Sequence, residues 1–123
     1  PEEAGLALQW SLFQAAHLGP MIGQLWHFKV FADAKLPYAI ERYERETTRL
    51  LQVLDGELAK RDYLAGDRYG IADIMAWPWI NALPILGRNL MATPYLEGWH
   101  ALIAKRPAVQ RGVTIPELDA ETA

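Results

Sequence analysis

Between Ala4 and Phe28 the chain carries no charged residue, and this run limits the possible folds more than any other feature. About 20 such residues are enough to cross a bilayer. However, Gln9, Ser11, Gln14, His17, Gln24 and His27 are spread through the run, and Gly19-Pro20 interrupts it. That many polar side chains are costly in lipid, so no membrane span is expected. At 100° per residue, Leu6, Trp10, Phe13, His17, Gln24, Phe28 and Phe31 fall on one stripe of a helix over residues 2–33. Leu8, Leu12, Ala15, Ile22, Trp26 and Val30 fall on a second stripe. A helix apolar on two sides has to be covered on two sides: one by its own core, the other by a partner domain, a second subunit or a ligand cleft. Proline removes a backbone donor, which predicts a bend near Gly19-Pro20.

The rest of the chain also has helical periodicity, with no useful period-2 segment, so the expected class is all-α with about five helices. A second helix opens at Leu36-Pro37, where proline's missing donor does no harm. Its inward stripe is Leu36, Ile40, Tyr43, Thr47, Leu50, Leu51, Leu54 and Leu58. Arg42, Arg45 and Arg49 share the opposite face, with Glu41/Arg45 and Arg42/Glu46 spaced for i,i+4 pairing. Such a face is ordinarily solvated and salt-bridged, although one of its arginines could instead meet an anionic ligand with its bidentate fork. A polar turn over 60–69 leads to Gly70 at an N-cap. Asp73 at N3 can reach back to the donors there, and Tyr69 and Ile74 are spaced as a hydrophobic staple. The following segment, near 71–87, is apolar all round and is expected to be the central buried helix. Thr93-Pro94 signals a fourth helix carrying Leu96, Trp99, His100 and Ile103. It stops at Arg106-Pro107, and a short helical turn from Ala108 follows. The tail over 113–123 is polar and expected to fray.

These 123 residues, 51% hydrophobic, suit one domain with a real core. A formal charge of −3 without any basic run argues against a nucleic-acid partner. Without cysteine there is no disulfide, thiolate metal site or cysteine nucleophile, and the compartment leans towards the cytoplasm. No signal peptide is evident, and a start at Pro1 suggests a processed or excised chain. A self-contained active site is also missing: the three histidines lie far apart, no carboxylate set has metal-ligand spacing, and Ser11 has no glycine elbow.

Several segments together resemble the C-terminal helical domain of glutathione S-transferases. Tyr63-Leu64-Ala65-Gly66-Asp67 and Tyr69-Gly70-Ile71-Ala72-Asp73-Ile74 look like that family's capping segment, and residues 99–109 look like its next helix and stop. Leu8-Gln9-Trp10, Leu18-Gly19-Pro20-Met21-Ile22-Gly23-Gln24 and Pro37-Tyr38-Ala39-Ile40-Glu41-Arg42-Tyr43 are more particular. They resemble the nu-class branch, bacterial relatives of the fungal nitrogen-regulator prion protein that are often described as disulfide-bond oxidoreductases.

This likeness implies a helical domain over 1–112 and an N-terminal thioredoxin-like domain that lies outside this chain and holds the catalytic group. It also implies homodimerisation and glutathione as cosubstrate, its thiolate used in conjugation with a hydrophobic electrophile or in reduction of a disulfide or peroxide, and no metal. By the same likeness Arg42 contacts a glutathione carboxylate, and Trp10, Phe13 and His17 wall the second-substrate pocket. Two departures stand out. Gly70 replaces the usual Ser or Thr cap, at a cost of only a few tenths of a kcal/mol. Ala16-His17 replaces two glycines, which narrows the space there and adds a titratable group. The alternative is a non-catalytic docking or dimerisation module, since fold does not settle function.

Overall fold

The computed structural model describes residues 1–117. The six terminal residues of the polar tail, and the fraying expected of them, lie outside the described residues. The first rod comprises α1 (Glu2–Phe13), a π-helical turn (Gln14–Leu18), α2 (Gly19–Trp26) and a second π-turn (His27–Phe31). It is followed by α3 (Pro37–Leu58), α4 (Ile71–Asn81), a 3₁₀ turn (Leu83–Leu86), α5 (Pro94–Ala104) and α6 (Pro107–Gly112). Counting the first rod once, five rods pack around one core, and no strand forms among the described residues. None of the described helices is long and apolar enough to cross a membrane.

The first rod differs from a regular helix in an instructive way. Its backbone widens just before Pro20, and the Gly19 N–H bonds five residues back to the Gln14 carbonyl. A π-turn inserts one extra residue, which rotates everything downstream by about 100° relative to a regular helix. The buried face therefore passes from Trp10 to Leu18, Ile22 and Leu25. Ile22, expected on the second stripe, joins the core, while His17, Gln24 and Phe31, expected on the first, are exposed. Leu8, Leu12 and Val30 remain exposed, so the second apolar face exists and is uncovered among the described residues.

On α3, Thr47, Leu50, Leu51, Leu54 and Leu58 are buried, with Ile40 and Tyr43 packed at the edge of the core. Leu36 is the N-cap residue and lies exposed. The expected central helix is shorter than 71–87, because α4 ends at Asn81 and gives way to the 3₁₀ turn. It is also buried on one face only, through Ala72, Asp73, Ala76, Trp77 and Ile80. Ile71, Ile74 and Pro78 are exposed, since α1, α2 and α5 pack on the other side.

Two caps hold the loops in place. Asp73 is fully buried, and its Oδ2 accepts the Gly70 N–H at 3.0 Å, while Oδ1 accepts the Leu64 N–H at 3.0 Å and the Trp99 indole N–H at 2.8 Å. Thr93 is the N-cap residue of α5, but its hydroxyl donates to the Leu90 carbonyl. The acceptor at that helix start is Asp55 of α3, whose Oδ1 receives the Tyr95 and Leu96 N–H groups at 2.9 and 3.0 Å.

Candidate functional site

The inward stripe of α3 leaves positions 42, 45, 46 and 49 on its outer face. There, with Met21 of α2 and Tyr43, they line an open groove of about 470 Å³. Tyr43 stacks on Phe28 with ring centroids 5.7 Å apart, which ties the groove wall to the first rod. The groove is predominantly cationic. Arg45 pairs with Glu41 at 3.4 Å. Arg49 grips Glu46 with both arms of its fork, Nε to Oε2 at 2.9 Å and Nη2 to Oε1 at 2.7 Å. The i,i+4 pair expected between Arg42 and Glu46 does not form, and Arg42 has no ion pair among the described residues.

Glu46 lies at the centre of this positive field. The Arg49 hydrogen bond is the largest influence holding its carboxyl below the ordinary range. Burial opposes that effect, and the charges of Arg49, His17 and Arg42 reinforce it. His17 and Arg42, far apart in sequence, thus both act on one carboxylate. The π-turn that carries His17 packs against α3.

The three aromatic residues expected to wall a pocket form a row. Trp10 meets Phe13 edge-on at 5.2 Å, and Phe13 meets His17 at 5.8 Å. Trp10 is only 5% exposed and belongs to the core, so it can shape a wall only from behind Phe13, which is half-buried. His17 is exposed. Gly70 and Asp73 lie apart from the groove at the start of α4 and serve the cap already described.

Other features have no local signal in the sequence. Glu44 accepts from Lys29 at 2.5 Å and from Arg88, and Arg88 also donates to Thr48 at 2.7 Å. Burial pushes the Glu44 carboxyl up, but Lys29 and Arg88 outweigh it and leave the group below its usual range. This cluster locks the second π-turn and the loop after the 3₁₀ turn onto α3. His100 stacks flat on Trp77 at 5.1 Å and bonds Asn81 through Nε2 at 3.0 Å, and burial lowers its pKa. No group of three or more metal-ligating side chains occurs among the described residues.

This arrangement can hold an anion at Arg42 beside a partly aromatic wall. It contains no nucleophile paired with a base. The model of the glutathione S-transferase C-terminal domain matches residues 19–107. The disulfide-bond oxidoreductase YfcG of Escherichia coli is 42% identical over 119 residues, covering 97% of this chain and 55% of that protein. A glutathione transferase homologue from Lodderomyces elongisporus, solved with two glutathione molecules per subunit, superposes with a TM-score of 0.91 at 36% identity, covering 94% of this chain and 56% of that one. Ure2p in complex with glutathione superposes with a TM-score of 0.83 at 32% identity, covering 89% and 54%. The chain spans about half the length of the curated relatives it matches. With a match that runs from the first residue of α2 to the first of α6, this chain belongs to the glutathione S-transferase C-terminal domain family.

Proposed function

We propose that this chain is the helical half of a cytoplasmic glutathione-dependent enzyme, in which Arg42 binds a carboxylate of glutathione and the Phe13–His17 row faces the second substrate. In this reading a thioredoxin-like domain in the whole protein supplies donors that hold the glutathione sulfur as thiolate. The thiolate then attacks an electrophilic carbon, or one sulfur of a disulfide, forming a bond to sulfur as the leaving group departs with the displaced electron pair. The exposed Leu8/Leu12 face of α1 would be covered by that domain or by a second subunit.

The observation that carries the reading is the state of Arg42. It lines the groove with no internal carboxylate claiming it among the described residues, and its planar fork matches a carboxylate. The relatives support the same chemistry, since YfcG is a disulfide-bond oxidoreductase and several solved neighbours hold glutathione. The test is calorimetric titration of the whole gene product with glutathione. Arg42→Ala should weaken binding about five- to thirty-fold, equivalent to roughly 1–2 kcal/mol for a partly solvated charge-assisted contact. Unchanged affinity would move the assignment to a non-catalytic docking module.

A further inference from the structure

Five ionisable residues follow one another along the outer face of α3: Glu41, Arg42, Arg45, Glu46 and Arg49. Glu46 has an arginine on either side within helical reach, Arg42 at i−4 and Arg49 at i+3, whereas Glu41 has only Arg45. Both acids pair on their C-terminal side: Glu41 with Arg45, and Glu46 with Arg49. An acid placed N-terminal to its base is the better helical orientation, because both charges then suit the helix dipole. Pairing runs in one direction along the helix, and Arg42 is the cation left over.

We propose that Arg49 is a positioning residue for the anion site. By occupying both oxygens of Glu46, it prevents that carboxylate from turning one helical turn back to claim Arg42. A guanidinium whose fork is engaged by an internal carboxylate must free that fork before it can grip a ligand carboxylate with both arms, and its apparent affinity falls by the fraction of time it is engaged. Glu46 is well placed to compete. It lines the same groove, and Arg42 and His17 already contribute to holding its carboxyl low. The two-point grip at 2.9 and 2.7 Å is what directs it elsewhere. Arg49 is 57% exposed, so its influence is moderate and graded rather than all-or-none.

The inference rests on Arg42 binding a carboxylate of glutathione, and the experiment separates the two ideas. Glutathione affinity, KM and kcat are measured on the whole gene product for Arg42→Ala, Arg49→Met, Arg49→Lys, Glu46→Gln and the double variant Arg49→Met/Glu46→Gln. Arg49→Met should raise the dissociation constant and KM about two- to four-fold, the effect of one exposed ion pair, with kcat held. Arg49→Lys, which can still pair with Glu46, should stay close to wild type. Adding Glu46→Gln to Arg49→Met should restore affinity, since no charged competitor remains. A defect that persists in the double variant would mean Arg49 touches the ligand directly, and the positioning role would be refuted. No effect of Arg49→Met, alongside a clear loss in Arg42→Ala, would refute it as well. No effect of Arg42→Ala would instead remove the reading beneath it.

Discussion

Replacing Asp73 tests how far one buried carboxylate holds this bundle together. Its two oxygens receive three N–H groups, from Leu64, Gly70 and Trp99, on a side chain with no solvent exposure. Hydrogen bonds to a charged acceptor are worth about 1.5–3 kcal/mol each, and a buried donor left without a partner costs about 1–3 kcal/mol. The three share one site and do not add fully, so Asp73→Ala should destabilise by about 3–5 kcal/mol. That is a large part of the 5–15 kcal/mol typical of a domain. Asp73→Asn keeps one acceptor oxygen but turns an amide towards a donor, and should cost about half as much.

The assay is urea unfolding followed by tryptophan fluorescence and far-ultraviolet circular dichroism. It is repeated over a range of protein concentrations because the Leu8/Leu12 face can self-associate. The midpoint should fall with the slope unchanged. Trp99→Phe in the Asp73→Ala background should recover part of the loss, because it removes one orphaned donor. A cost below about 1 kcal/mol for Asp73→Ala would refute the reasoning, since water would then be satisfying the three donors as well as the carboxylate does.

Three further outcomes follow from the geometry. A Cβ at Gly19 would lie 3.0 Å from the Gln14 amide nitrogen and 3.2 Å from the Trp79 indole, whereas one at Gly23 would lie 3.8 Å from the same ring. Thermal melts should therefore show Gly19→Ala destabilised by about 1–3 kcal/mol, and Gly23→Ala neutral or stabilised by up to about 1 kcal/mol. The Glu44 carboxyl has a folded-state pKa below its ordinary value of 4.5, so its contribution is complete above that value and is lost as pH falls through the folded pKa. Melts from pH 7 to pH 2.5 should show a smaller acid-induced loss for Glu44→Gln than for wild type. In the whole gene product, His17→Gly should change the ranking of second substrates in a panel of electrophiles and disulfides, and an unaltered ranking would count against a pocket role for His17.

What could be read from the residues was whatever depended on near neighbours. The inward stripe of α3 follows from Thr47, Leu50, Leu51, Leu54 and Leu58 alone, and the Gly70/Asp73 pair follows from a three-residue spacing. The first rod departs from its pattern at one point: a constant 100° step cannot anticipate a residue inserted before Pro20, so Ile22 and Gln24 lie on each other's expected sides. Thr93 has the right identity for a cap but was displaced by Asp55, which reaches the helix start across the fold. The Lys29–Glu44–Arg88 cluster joins three distant segments and leaves no periodic trace. At the groove, the spacing allowed Glu46 two arginine partners, and only the side-chain geometry shows which one it took. Apolarity on all sides of α4 did not bring burial on all sides, because Ile71 and Ile74 meet no neighbour that would cover them among the described residues.

The π-turn at Gln14–Leu18 also bears on how the chain tolerates changes in length. Deleting one residue from an ordinary helix turns every later side chain to a new direction and ruins the core below it. Here the surplus residue is already present as a bulge between two regular segments. Removing one of the turn's exposed residues, Ala15, Ala16 or His17, would shorten the rod while leaving Trp10 above it and Ile22 below it on the same side. The stretch between Phe13 and Gly19 is thus a place where length polymorphism can accumulate beside the groove, and where a variant one residue shorter would remodel the groove's flank without repacking the core.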